Sequence, residues 1–109
     1  MPLTALLRCD DLDRTRDYYR DTLGFEETDT AEGTISVSLE DCYLVFTTQD
    51  LWAGPTQFSA TFYLHVDDVA RYYERVKDRA QITWPLQHMP YGSREFGVRD
   101  CDGYYLAFA

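Results

Sequence analysis

The sequence has 109 residues, of which 45% are hydrophobic and 16% aromatic, so a single folded domain is expected and a disordered chain is excluded. Its 19 acidic and 10 basic residues give a formal net charge of -9, which argues against nucleic acid or an anionic membrane surface as a partner and favours a cationic ligand. Cys9, Cys42 and Cys101 are scattered without a Cys-x-x-Cys spacing, so neither a disulfide framework nor a zinc site is expected.

No apolar stretch approaches the roughly 18 residues that a membrane-spanning helix requires. The N-terminal segment MPLTALLRCDD becomes acidic before the apolar core of a signal peptide can form. We therefore expect a cytoplasmic protein whose cysteines are small buried hydrophobic residues in a reducing compartment.

The first half of the chain predicts one strand, one helix and three further strands. Leu3 to Cys9 is a short apolar segment, and the Asp10-Asp11 pair after it supplies the N-cap and the negative charge that favour a helix start. The helical period ends before Gly24, where a left-handed C-cap is expected. Apolar and polar residues then alternate in three predicted strands, at Phe25 to Thr30, Ile35 to Leu39, and Tyr43 to Thr47.

A polar segment with Gly and Pro, Thr48 to Phe58, has the composition of a linker. The chain then repeats its opening: LHVDDV (Leu64 to Val69) matches LRCDDL (Leu7 to Leu12) at an offset of 57 positions. A second amphipathic helix is expected after this motif. Three further strands are predicted, around Gln81 to Trp84, Ser93 to Arg99, and Tyr104 to Phe108.

The repeat predicts an α+β fold of two tandem βαβββ modules in one domain that covers residues 1-109. Module one is expected at about 1-48, the linker at about 49-58 and module two at about 59-109. We expect each module to form a curved sheet with its helix on the outer face, so that the inner faces surround a cleft.

Three segments carry a family resemblance: CDDLDRTRDYYRDTLGF (Cys9 to Phe25), LHVDDVARYYERV (Leu64 to Val76) and YGSREFGVRDCDGYYLAF (Tyr91 to Phe108). In this order, they resemble the glyoxalase, bleomycin-resistance and dioxygenase group, the vicinal oxygen chelate superfamily. Two residues depart from its pattern, because Cys101 and Tyr104 replace the usual Pro and Asn of the final turn. Asp and Gly still supply the turn chemistry.

The resemblance implies four positions for the ligands of a divalent metal, one on the first and one on the last strand of each module. These positions hold Thr4, Val45, Thr61 and Ala107. Two of these side chains have no donor atom and a neutral hydroxyl is a poor ligand, so we expect no metal and no other cofactor. His65, expected on a strand, and His88, expected on an exposed loop, lack the spacing of another metal motif.

Strand alternation predicts which side chains line the cleft, since residues of the same parity share a face. Phe96 and Val98 fit the core, which turns their neighbours on that strand towards the cleft. The candidate ligand-binding residues are Arg8, Tyr43, Trp52, Tyr63, His65, Trp84, Glu95, Arg99 and Tyr105. Trp52 lies in the linker segment, where it either folds back onto a groove or packs against a partner.

This mostly aromatic set suits the stacking of a flat organic compound. Together with the resemblance, it predicts a metal-independent, homodimeric binding protein of the bleomycin-resistance type, which protects by sequestering an aromatic, possibly cationic antibiotic. Two alternatives stay open: a glyoxalase-like or dioxygenase-like enzyme that acts without the usual four ligands, and a scaffold that has lost its ligand. No catalytic residue is assigned, because no nucleophile motif is present, although Glu95 and His65 would form an acid/base pair in the enzyme alternative. The absence of a glycine-rich phosphate-binding loop argues against a nucleotide cofactor.

Overall fold

The computed structural model describes residues 4–28, 32–52, 54 and 60–109. The chain forms two compact units, Met1–Gln57 and Phe58–Ala109. Within the described residues, each unit contains one four-stranded mixed sheet and one α-helix, which confirms the α+β class. The predicted strand start at Leu3, the predicted strand end at Thr30 and linker positions 53 and 55–58 lie outside the described residues.

The two units have the same order of elements. The first contains β1 (Thr4–Arg8), α1 (Leu12–Asp17) with a π-helical turn (Tyr18–Thr22), β2 (Glu26–Thr28), β3 (Thr34–Leu39) and β4 (Cys42–Thr47). The second contains β5 (Thr61–Leu64), α2 (Val69–Val76), β6 (Gln81–His88), β7 (Arg94–Arg99) and β8 (Tyr105–Phe108). Both helices in the described part of the chain are too short to cross a membrane.

The strand orders are also the same, β1-β4-β3-β2 in the first sheet and β5-β8-β7-β6 in the second. In each sheet, the first strand pairs in parallel with the last one, and the remaining pairs are antiparallel. A parallel pair cannot be closed by a hairpin, so the helix serves as the crossover between the first strand and the three-stranded meander. The predicted pair of βαβββ modules is therefore confirmed.

Each helix begins with the same cap, as the repeated Asp pair predicts. The Asp11 carboxylate accepts a hydrogen bond from the Arg14 backbone N–H at 3.2 Å. In the second unit, the Asp68 carboxylate accepts one from the Arg71 N–H at 3.1 Å. These bonds satisfy backbone donors that have no partner within the first turn of a helix.

The first helix ends differently from the second, in a π-helical turn that the sequence pattern did not predict. The Leu23 N–H donates to the Tyr18 carbonyl, and Gly24 adopts the expected left-handed conformation with φ of 76°. The turn carries the buried ring of Tyr19 against Phe25 and Phe46, with both centroid distances at 5.1 Å. This aromatic group anchors the helix to its sheet.

An aromatic core also joins α2 to the second sheet. The ring of Phe108 lies 4.8 Å from that of Tyr72 and 5.3 Å from that of Phe96, and all three side chains are buried. Phe96 pairs with Phe108, and Val98 pairs with Leu106, so these four side chains share the face that packs on the helix. The predicted placement of Phe96 and Val98 in the core is confirmed.

Four local predictions are wrong. β6 does not end near Trp84 but continues to His88, because its pairing with β7 resumes after irregularities that accommodate Pro85. His88 is therefore the last residue of a strand, whereas a loop position was predicted; it is exposed, as expected. His65, which was predicted on a strand, lies one residue after the end of β5. Of the cysteines, only Cys9 is buried; Cys42 and Cys101 are partly exposed.

The turn between β7 and β8 is organised by one buried carboxylate. Asp100 accepts hydrogen bonds from the backbone N–H groups of Asp102 at 2.9 Å and Tyr104 at 2.7 Å. Gly103, with φ of 90°, closes the turn by donating to the Asp100 carbonyl. The turn directs β8 back between β7 and β5, where Leu106 is fully buried.

A close contact between β6 and β7 fixes the ring of Trp84. Gly97 is opposite Trp84 in the strand register, and a Cβ atom added to this glycine would lie 2.4 Å from two carbon atoms of the indole. The indole therefore occupies the space that a side chain at position 97 would take. Only glycine permits this approach.

Replacing Asp100 with Ala should lower the free energy of unfolding by about 1–3 kcal/mol, because the turn loses the one carboxylate oxygen that accepts both backbone hydrogen bonds. Asp100→Asn retains an acceptor oxygen and serves as the matched control. Urea denaturation measures both changes. An alanine variant as stable as the asparagine variant would contradict the assigned role.

Gly97→Ala should displace the Trp84 indole and reduce stability by about 1–3 kcal/mol, the usual effect of overpacking. Near-ultraviolet circular dichroism and thermal unfolding report the two changes. Gly54→Ala is the control, since a Cβ added there meets no atom within 4 Å. Equal behaviour of the two variants would show that the indole does not depend on Gly97.

Candidate functional site

The second sheet has one face against α2 and another that carries the predicted site residues. Across this second face, the strand register aligns four residues, one from each strand: Tyr63, Ala107, Gly97 and Trp84. We call them the central row. Two small residues at the middle are thus flanked by two aromatic residues, and the Trp84 ring lies over Gly97.

Glu95 lies beside the central row, two residues from Gly97 on the same face of β7. Its side chain is fully buried, and its carboxylate accepts a hydrogen bond from the Tyr91 hydroxyl. Tyr91 belongs to the β6–β7 turn and is 62% exposed, so its ring reaches from the turn to the buried carboxylate. Tyr63 of the central row also forms a hydrogen bond with the Tyr91 hydroxyl.

These contacts define the protonation state of Tyr91. The hydrogen bond to Glu95 and then the one to Tyr63 raise the pKa of the Tyr91 phenol above its ordinary value of 10.0. The hydroxyl therefore remains protonated at neutral pH and acts as the donor to Glu95.

Two buried polar atoms at this place have no hydrogen-bond partner among the described residues. One is Oε2 of Glu95, an acceptor, and the other is Nε1 of Trp84, a donor. Buried polar groups are nearly always paired in folded proteins, so each of these atoms needs an explanation. Both lie on the face of the sheet opposite α2.

The remaining second-unit candidates, Arg99, Tyr105 and His65, lie along the same face. Tyr105 pairs with Arg99 on one side and with Thr61 on the other, one row away from the central row. Arg99 is exposed and Tyr105 is half-buried. His65 is exposed beyond the end of β5, where hydrogen bonds of its chain neighbours place it opposite Ala109.

In the first unit, part of the corresponding sheet face is exposed. Leu6 and Tyr43, which lie on this face in adjacent strands, are 44% and 41% exposed.

Arg8 contacts the segment that follows β4. Its guanidinium donates to the Gly54 carbonyl at 2.8 Å and lies 3.6 Å from the Asp50 carboxylate. Asp50 also accepts a hydrogen bond from the Gly54 N–H at 3.2 Å. These contacts hold the turn that contains Trp52, whose side chain is 54% exposed.

The four positions that the family resemblance assigns to metal ligands do not fit a divalent metal. Val45 and Ala107 have no donor atom, and Ala107 is fully buried in the central row. Thr4 and Thr61 offer neutral hydroxyls, which are poor ligands. Across the described ranges, no group of three His, Cys, Asp or Glu side chains is arranged to hold a metal.

Sequence reasoning missed two participants in this arrangement, Tyr91 and Gly97. A signal for Gly97 was present, because glycine inside a strand often marks a close approach of another group. No comparable signal pointed to Tyr91. Its contact with Glu95 depends on the path of the β6–β7 turn, which the sequence pattern does not define.

Similar solved structures share the fold at low sequence identity. TioX from Micromonospora sp. ML1 is 20% identical, with a TM-score of 0.79 and coverage of 99% of this chain and 96% of TioX. A glyoxalase/bleomycin resistance protein/dioxygenase from Alicyclobacillus acidocaldarius is also 20% identical, with a TM-score of 0.78 and coverage of 99% and 89%. The bleomycin-binding protein of Streptomyces verticillus, solved with copper(II)-bleomycin, is 22% identical, with a TM-score of 0.76 and coverage of 100% and 94%.

A comparison with curated protein sequences found no match. The family model of the Glyoxalase/Bleomycin resistance protein/Dioxygenase superfamily, in contrast, matches residues 3–108, nearly the whole chain. The match agrees with the repeated strand order of the two units. The chain belongs to the glyoxalase/bleomycin resistance protein/dioxygenase superfamily.

Proposed function

We propose that the protein binds and sequesters a small aromatic, cationic compound without the help of a metal, as a binding protein of the bleomycin-resistance type. The observation that carries this proposal is the central row. At a position where the family resemblance places a metal ligand, this row has the methyl group of Ala107, with the aromatic rings of Tyr63 and Trp84 at its two ends.

Aromatic rings on one face suit a flat ligand, because they supply a large apolar area with few rotatable bonds. The proposed contact residues of the second unit are Tyr63, His65, Trp84, Glu95, Arg99 and Tyr105. The net charge of -9 favours a cationic compound over an anionic one. One member of the superfamily with the same fold, from Streptomyces verticillus, is a bleomycin-binding protein.

In the first unit, we assign contact roles to Tyr43 and Trp52, which are both exposed. Arg8 would act mainly by holding the turn that contains Trp52, through its contacts with Gly54 and Asp50. We also propose a homodimer, since a second chain would cover exposed apolar groups such as Leu6. Light scattering of the purified protein tests this state directly.

A panel of planar cationic antibiotics should contain compounds that raise the melting temperature, because a ligand that binds only the folded state stabilises it. Tyr63→Ala should weaken the binding of such a compound roughly fivefold to tenfold, since one stacking surface is lost. Tyr63→Phe retains the ring and should bind nearly as well as the wild type. Isothermal titration calorimetry compares the three proteins.

Two results would contradict the proposal. If no compound of the panel shifts the melting temperature, sequestration loses its support. If stoichiometric divalent metal remains bound after incubation and desalting, binding without a metal is wrong and the enzyme alternative is favoured.

A further inference from the structure

Glu95 is fully buried, and only one of its two carboxylate oxygens has a partner among the described residues. Oε1 accepts the hydrogen bond of Tyr91, whereas Oε2 has no partner among the described residues. A buried carboxylate oxygen without a donor is unfavourable in the folded protein. A ligand that brings a hydrogen-bond donor to this oxygen would remove that penalty. Its removal would make the free energy of binding more favourable.

The hydrogen-bond partner of Glu95 carries no positive charge. Tyr91 donates a neutral hydroxyl. Arg99 is on the same face of β7 but four residues further along the strand, which separates the Cα atoms of the two residues by about 13 Å at the usual rise per residue. A donor that reaches Oε2 is therefore favoured if it is positively charged.

Aromatic side chains surround Glu95. Tyr91 contacts Glu95 directly, and Tyr63 bonds to Tyr91. The Trp84 indole occupies the position next to Glu95 on the strand face, above Gly97. Rings near a carboxylate favour a cation, because their faces attract positive charge.

We infer that Glu95 Oε2 is the anchor for a protonated nitrogen of the ligand that carries N–H groups, as in an amidinium, a guanidinium or a primary ammonium ion. The inference rests on the proposed function and specifies the chemistry that the site selects. A charged N–H donor gains a charge-assisted hydrogen bond to Oε2 as well as contact with the rings. A quaternary ammonium ion has no N–H group, so it gains only the contact with the rings. A neutral amide has N–H groups but no charge, so its hydrogen bond to Oε2 is not charge-assisted.

Three probes with the same aromatic body separate these contributions: 2-naphthamidine, its neutral counterpart 2-naphthamide, and a 2-naphthyl trimethylammonium salt. Wild-type protein should bind the amidine roughly 10- to 100-fold more tightly than the amide or the quaternary salt. In Glu95→Gln, the amide nitrogen replaces an acceptor with a donor, so the preference should fall to about one. Calorimetry gives the dissociation constants.

Glu26→Gln is the matched control, because it makes the same change of net charge at an exposed position of β2. It should keep the wild-type preference for the amidine. The indole N–H signal of Trp84, assigned by its loss in Trp84→Phe, should shift in a ¹H–¹⁵N spectrum when the amidine binds to wild-type protein, which locates the probe on this face.

Equal affinity of wild-type protein for the amidine and the amide would overturn the inference while leaving sequestration of an aromatic compound intact. The same holds if Glu95→Gln folds and retains the preference. The comparison within the wild type does not depend on any variant folding. Failure of all three probes to bind overturns the anchor, whereas the proposed function is decided separately by the wider antibiotic panel.

Discussion

The arrangement of this protein depends on the parallel pairing of the first and last strands within each module. Because a parallel pair needs a crossover, the helix must cover one face of each sheet, and the other face stays available. The same pairing inserts the last strand between the first strand and the meander. β8 consequently occupies the centre of its sheet although it lies close to the C-terminal residue, and Leu106, Ala107 and Phe108 are fully buried.

Much of the fold was predictable because its signals are local. The Asp pairs predicted both helix N-caps, and Gly24 predicted the end of the first helix. The sequence repeat predicted two modules with the same order of elements. The errors concern features set by contacts with distant residues. The sequence pattern predicts that β6 ends before Pro85, but the pairing with β7 continues to His88. The π-helical turn likewise depends on where Tyr19 finds its aromatic partners.

For the candidate site, strand parity correctly put Tyr63, Glu95 and Tyr105 on one face, since the side-chain period of two is a strict property of strands. Parity could not indicate that Glu95 is fully buried or that Trp84 lies over Gly97. Burial depends on what covers a residue, and the direction of the indole depends on a missing Cβ atom on the neighbouring strand. Both features depend on contacts between residues that are distant in the sequence, so the pattern of a single segment does not predict them.

The two modules have the same strand register but different side chains at the position of the central row. At the place of the central row, the first module has four residues in the equivalent register: Leu6, Val45, Ser36 and Thr28. Its counterpart of Gly97 is thus a serine, and its counterpart of Trp84 is a threonine. The strand order is the same in both modules, although the pairing is regular beside Thr28 and interrupted on both sides of Trp84. Two modules of one chain can therefore share an architecture while the side chains on the face opposite the helix differ completely along one transverse row.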